Sequence, residues 1–393
     1  MSVRHVIVSG AGLGGLCLAH RLRAAGVGVS VVERDSALDS RPQGYRLHLD
    51  PHGIGALHRA LPEPLGELLD ATSGTPRPMT VVHDHRMNRL ASFTAEDAPH
   101  RAVNRLTLRE ILYAGLADVV TFGRELVGHE TRADGRVVAR FADGGREVGD
   151  VLVGADGVNS AVRRQLLPHA RIHDTGLVQF YGRITLTADT RGLFAEDMDT
   201  IFTMMIGPGH DVVGVAPVRY REAPGPAAAR LAPGVRLTPS ADYMTCSFTA
   251  RSASLPAYPE LRAMPGDDLR DLVLARITDW HRDVRRIVER WDAATIIPLP
   301  LRTAVPVGPW PASPVTLLGD AIHAMSPAGG VGANTALRDA DLLADALVGA
   351  AGGRPLVDAI AGYEDAMCGY GFAALRTSIA NGTRFLGQDP LPM

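Results

Sequence analysis

An α/β architecture, with a Rossmann-like nucleotide-binding domain interleaved with a mainly β domain and closed by C-terminal helices, is predicted by three segments of this 393-residue chain. The first is SGAGLGG at 9–15, a glycine turn between a strand pattern at 3–8 and a helix pattern at 16–25. The second, VLVGADGVNSAVR at 151–163, and the third, VTLLGDAIHAMSPAGGVGANTAL at 315–337, each pass from a short apolar run through Gly-Asp or Asp-Gly to a helix start. Strand, glycine turn, helix and a further strand at 27–33 make a βαβ unit, and the two later segments return the chain to the nucleotide domain.

The elements between these segments follow from their patterns. Residues 35–104, rich in Pro, Gly, His and Arg, read as irregular excursions with short helices and strands over the same site. A helix pattern covers 106–117. Short strands follow at 119–122, 126–130 and 137–141, with hairpin turns at Asp134-Gly135 and Asp143-Gly144. From about residue 177 the chain changes character, with strand-like runs at 177–186, 200–206, 212–218 and 243–250, then helices near 267–277 and 283–291. Pro- and Ala-rich residues 221–239 read as an exposed loop. Beyond the third segment, helix continues over 338–350, and 356–386 holds one or two more. The expected division is therefore 1–176 for the first part of the nucleotide domain, 177–300 for a β-sheet substrate domain, and 301–393 for the second part with the C-terminal helices.

Composition narrows the function. The chain is 46% hydrophobic, enough for a large core in two intimately joined domains. A net charge of −3 gives no basic field for nucleic acid or an anionic membrane. The first strand follows Met1 almost at once and no apolar run reaches a membrane span, so a cytoplasmic protein is expected, as monomer or homodimer. Cys17, Cys246 and Cys368 have neither disulfide nor metal-ligand spacing, and the fourteen histidines show no metal spacing either. All 40 basic residues are arginine, which removes P-loop, Schiff-base and lysine-nucleophile chemistry.

In the first turn, Gly10 allows the tight bend, Gly12 lets backbone approach a pyrophosphate and Gly15 lets helix meet strand, with Ala11, Leu13 and Gly14 between them. Glu33, followed by Arg34, ends the second strand about 20 residues on, where a carboxylate accepts hydrogen bonds from a ribose diol. This turn alone does not separate NAD from FAD. Asp156-Gly157 ends a buried strand, with Arg163 one turn into the next helix. Arg105 and Arg109 lie four apart on one helical face, placing at least one within reach of a pyrophosphate oxygen. Asp320 follows a third strand, and Gly332-Ala333-Asn334 opens a helix whose first amides face a ligand's negative charge. A strand, an acid and a helix start of this kind suit a ribityl chain and a flavin ring, so the expected cofactor is FAD.

Taken together, Gly10-x-Gly12-x-x-Gly15 with Glu33, Asp156-Gly157 with Arg163, and Gly319-Asp320-Ala321-x-His323 with Pro327, Gly330, Gly332 and Asn334 resemble the single-component FAD-dependent aromatic hydroxylases. These are the para-hydroxybenzoate hydroxylase group of flavoprotein monooxygenases, and in length the chain is similar to their compact tetracycline-inactivating members. The resemblance implies that Glu33 holds the adenosine ribose, Arg105 the phosphate region and Asp320 the ribityl-pyrophosphate. It places the Gly332–Asn334 amides at the flavin pyrimidine edge, Asp156 where cofactor and NAD(P)H contacts overlap, and Arg41 and Arg46 beside the isoalloxazine. Ser326 stands where many relatives carry a second proline.

The same resemblance implies an FAD-dependent monooxygenase that consumes NAD(P)H and O2 and hydroxylates an aromatic or polyketide-like molecule through a flavin C4a-hydroperoxide, in secondary metabolism. The chemistry is borne by the flavin, so no protein nucleophile is required. Pro327, His48 and Tyr181 are pocket candidates. Tyr181, from similarity to the tetracycline enzymes, and Met205 on the next strand are the substrate candidates, Tyr181 being equally readable as a core aromatic. Alternatives on the same fold are an epoxidase, a Baeyer-Villiger oxygenase, or a protein that sequesters a ligand without oxygen transfer. A flavin halogenase is disfavoured because the chain has neither a lysine nor a Trp-x-Trp motif.

Overall fold

A computed structural model describes residues 3–40, 45–95 and 98–391. Five strands form a parallel sheet in the order Val315–Leu317, Val151–Gly154, His5–Ser9, Gly28–Glu33, Val120–Phe122. The predicted βαβ start and the two later returns thus become neighbours. Val6, Ile7, Val8 and Val151–Val153 are fully buried, as strands covered on both faces require. The helices Leu13–Ala24, Gly332–Ala351 and Leu356–Asn381 contribute to the same core. So does a three-stranded antiparallel sheet (Leu126–Thr131, Val137–Phe141, Arg146–Gly149), through Val137, Ala139 and Phe141. Burying each Val, Ile or Phe side chain among them stabilises the fold by roughly 1.5–3 kcal/mol.

A second sheet runs in the order Ile297–Ala304, Ile172–Thr185, Tyr243–Arg251, Val212–Val218, Thr200–Ile206, Arg77–Asp84, Arg89–Thr94. Its pairings are antiparallel except that between Thr200–Ile206 and Arg77–Asp84. The last two strands come from the stretch expected to be irregular, so the sheet is not confined to 177–300. Its long strand also begins earlier, at Ile172, and its edge strand ends later, at Ala304. The remainder of that early stretch forms the helices Pro51–Ala60 and Glu63–Ala71 and a ribbon pairing Arg46–Leu49 with Arg101–Asn104.

Alternation along the strands gives this sheet two unlike faces. Phe180, Phe248, Val213 and Met205 share one face and are buried with Leu269, Val273, Val284 and Ile287 of the helices Gly266–Arg276 and Arg282–Glu289. Tyr181, Ser247, Gly214 and Met204 form a row on the other face. That face turns toward the nucleotide domain. The Tyr243 hydroxyl donates to the Tyr45 carbonyl at 3.0 Å, Asn104 Nδ2 donates to that hydroxyl at 3.1 Å, and Arg46 Nε donates to the Pro217 carbonyl at 3.0 Å.

Candidate cofactor site at the strand ends

The glycine turn, Glu33, Asp156 and Asp320 each sit at the C-terminal end of a parallel strand, the edge where α/β sheets bind ligands. After His5–Ser9, Gly10 turns at φ +114° and donates its amide to the Val32 carbonyl at 2.7 Å. A Cβ on Gly15 would run into the Gly10 carbonyl, whereas one on Gly12 would meet nothing within 4 Å. Gly14 serves packing instead: its Cβ would lie 2.7 Å from Leu318 Cδ1 and 3.1 Å from the Ala336 carbonyl oxygen. Glu33 is buried, accepting from the Ala11 amide at 2.9 Å through one oxygen and from the Asp35 amide at 3.0 Å through the other. Arg34 beside it is exposed.

The two arginines four residues apart separate in role. Arg109 is buried and braces the turn from behind, donating from Nε to the Ala11 carbonyl at 2.9 Å and from Nη1 to the Leu38 carbonyl at 2.6 Å, with Glu33 Oε2 at 3.5 Å. Arg105 begins the helix Arg105–Tyr113, half-buried, and its charge is felt at Tyr181 across the cleft.

Asp156 follows Val151–Gly154 and caps the helix Ala161–Leu166, its Oδ2 accepting from the Ala161 amide at 2.7 Å. Its Oδ1 is buried without a hydrogen-bond partner, and burial raises its pKa above the ordinary carboxylate value. Arg163 is buried and ties that helix to the third segment, donating from Nη1 to the Ala321 carbonyl at 2.8 Å. Asp320 is exposed at the first residue of the short helix Asp320–His323, after Gly319 at φ +61°. Pro327 and Gly330 are exposed on the loop that leads to Gly332–Ala351, where Gly332 and Ala333 are half-buried in the first turn.

The Asn334 side chain is occupied within the protein: Oδ1 accepts from the Asp50 amide at 3.0 Å and Nδ2 donates to the His48 carbonyl at 2.9 Å. The loop also has a fastening that the sequence did not reveal. Ser326, in place of a second proline, is held by Ser378, whose hydroxyl donates to the Ser326 carbonyl at 2.7 Å.

Arg46 and His48 project from the same side of their strand, opposite the buried Leu49. Arg46 keeps a buried Nη2 without a partner, and burial pushes it down to about 10. His48 Nε2 lies 2.9 Å from His100 Nδ1, and burial, then Arg46 and His100, push His48 down to about 3. Arg41 lies outside the described residues. Tyr181 is half-buried on the cleft-facing row, and burial pushes it up to about 12. Met205 requires a correction. It is fully buried on the helix-covered face, and its neighbour Met204 takes the cleft position, because adjacent strand residues point to opposite faces. Among the described residues no group of three His, Cys, Asp or Glu could hold a metal ion.

The residues present fit FAD. Open space at Gly12 is a cradle that a Cβ would begin to fill, the first-turn amides of two helices border the strand ends, and Arg46 has an unpaired buried nitrogen.

Comparison with known proteins agrees. Residues 4–225 and 279–368 match the family described as FAD binding domain. A dual O-methyltransferase/FAD-dependent monooxygenase of Cercospora beticola is 32% identical over 419 residues, covering 99% of this chain and 47% of that protein. The chain thus spans about half the length of that relative. The 3-amino-4-hydroxybenzoate 2-monooxygenase of Streptomyces cremeus is 30% identical over 87% of this chain and 78% of that protein. A crystal structure from Photorhabdus luminescens subsp. laumondii, assigned as an FAD containing monooxygenase, superposes with a TM-score of 0.85 at 33% identity, covering 98% of both chains. The chain belongs to the FAD binding domain family, within its group of flavoprotein monooxygenases.

Proposed function

We propose that this chain is an FAD-dependent monooxygenase that uses NAD(P)H and O2 to hydroxylate an electron-rich aromatic or polyketide-like small molecule. The observation that carries the reading is the pairing of a dinucleotide cradle with a second sheet whose Tyr181–Ser247–Gly214–Met204 row faces it. Bound FAD would supply hydride acceptance from NAD(P)H and the activation of O2. Glu33 would accept from the adenosine ribose, the amides after Gly12 would meet the pyrophosphate, Asp320 the ribityl-pyrophosphate, and the Gly332–Asn334 amides the flavin edge. Arg46 and Arg105 would balance negative charge on the cofactor. Asp156 would stand near the nicotinamide approach.

The substrate's place is between the flavin loop and the second sheet. Tyr181 would hydrogen-bond a phenol or carbonyl there, and Met204 would supply apolar contact. Pro327 and His48 border the same space. Excluding water from the reacting atoms and fixing the substrate carbon are the protein's contributions to such a reaction. The Cercospora relative joins a monooxygenase to an O-methyltransferase in one protein. A new aromatic hydroxyl is a group that a methyltransferase can modify, which favours a tailoring step in secondary metabolism.

The test is direct. Purified protein should be yellow with bound FAD, and electron-rich phenols should stimulate NADH or NADPH oxidation with one 18O atom from 18O2 in the product. A colourless protein that does not take up FAD sinks the reading. Ligand binding without stimulated oxidation or labelled product would indicate sequestration instead.

A further inference from the structure

Asp339 lies on Gly332–Ala351, the helix whose first turn faces the candidate flavin site, and is fully buried. It accepts three hydrogen bonds from two other parts of the chain. Oδ2 takes the Gly319 amide at 2.7 Å and His323 Nε2 at 2.6 Å, and Oδ1 takes the Tyr370 hydroxyl at 2.5 Å. Gly319 and His323 flank Asp320 on the strand-end segment, and Tyr370 comes from the C-terminal helix Leu356–Asn381. His323 is also fully buried.

The packing leaves little play in this cluster. A Cβ on Gly371 would lie 2.9 Å from His323 Cδ2, and one on Gly319 would lie 3.0 Å from Ala336 Cβ. The Arg338 guanidinium covers the Tyr370 ring at 3.9 Å. Burial opposes a charge on His323, and Asp339, together with Asp320 and a backbone hydrogen bond, outweighs that opposition and raises its pKa. A buried carboxylate requires its donors, and here two of the three, the Gly319 amide and His323, come from the very segment that carries Asp320.

We propose that Asp339 is a positioning residue for the cofactor: by binding Gly319, His323 and Tyr370 it holds Asp320 and the first turn of Gly332–Ala351 at one fixed spacing, and so sets how tightly FAD is held. This rests on the FAD reading above.

The test titrates apoprotein with FAD, following flavin fluorescence and the visible circular dichroism of the bound flavin. The variants are Asp339→Asn, Tyr370→Phe, their combination, and Thr316→Val as control. Thr316 is buried on the same strand-end segment but bonds Glu364 rather than Asp339. Wild-type apoprotein should bind FAD. Asp339→Asn should weaken binding at least tenfold and alter the flavin dichroism, and Tyr370→Phe should weaken it about threefold. The double variant should be no weaker than Asp339→Asn, and Thr316→Val should bind like wild type even where its urea midpoint falls. Affinities within twofold of wild type for Tyr370→Phe and for any folded Asp339→Asn overturn the proposal. So does an equal loss in Thr316→Val. Failure of wild-type apoprotein to bind FAD overturns the cofactor reading itself.

Discussion

Asn334 Nδ2 donates to the His48 carbonyl at 2.9 Å, joining the first turn of the long helix to a strand laid down 286 residues earlier. With Oδ1 accepting from the Asp50 amide, one buried amide fixes the floor of the cleft against the helix start. Asn334→Ala removes both bonds and leaves their partners unpaired. The expected loss of stability is about 2–4 kcal/mol, read from urea unfolding, together with weaker FAD retention. Asn334→Asp should keep the bond from Asp50 and lose the one to His48, giving an intermediate result.

Gly12 and Gly14 should separate binding from folding. Gly12 has φ −79° and ψ −177°, a conformation that alanine adopts, and nothing of the protein stands within 4 Å of its Cβ. Gly12→Ala should leave apoprotein stability within about 0.5 kcal/mol of wild type. Its FAD affinity should fall at least tenfold, because the methyl enters the pyrophosphate cradle. Gly14→Ala forces a Cβ against Leu318 and Ala336 and should cost about 1–3 kcal/mol of stability instead. Paired urea curves and FAD titrations check both. Equal affinity in Gly12→Ala and wild type would contradict the cradle.

Met204 and Met205 divide in the same way between site and core. Met205→Ala empties a fully buried position beside Val213 and Phe248 and should cost about 2–5 kcal/mol. Met204→Ala should cost roughly 1 kcal/mol or less and shift substrate KM more than thermal stability. Steady-state kinetics and thermal melts on both variants decide the assignment.

Glu364 gives a pH prediction. It is buried on the C-terminal helix, accepts from the Thr316 hydroxyl at 2.7 Å, and burial pushes it up to about 7. An unfolded glutamate titrates near 4.3, so between about 4.3 and 7 the native state binds more protons than the unfolded one. The stability this group contributes is therefore complete below about 4.3 and is lost as pH rises through 7. Glu364→Gln keeps the acceptor and removes the titration. It should match wild type near pH 4, gain on the order of 3 kcal/mol at pH 8, and flatten the decline between them, as denaturant unfolding across pH would show.

The sequence by itself determined the parallel sheet, its returns and the residues at its strand ends. Gly10, Gly12, Gly15, Glu33, Asp156 and Asp320 were legible because each belongs to a local pattern: an apolar run, a turn residue and a helix start within a few positions. What only the tertiary structure decided depends on register and on contacts between distant segments. The second sheet takes Arg77–Asp84 because it pairs with Thr200–Ile206, carrying its hairpin partner Arg89–Thr94 with it, and no local periodicity announces a partner more than a hundred residues away. Which of Met204 and Met205 faces the cleft turns on a single residue of register, since a shift by one exchanges the faces of a strand. Arg109 reads like Arg105 on a helical wheel, yet folds behind the glycine turn to reach the Ala11 carbonyl. Asp339, with no motif of its own, gains its role only where Gly319, His323 and Tyr370 converge on one carboxylate.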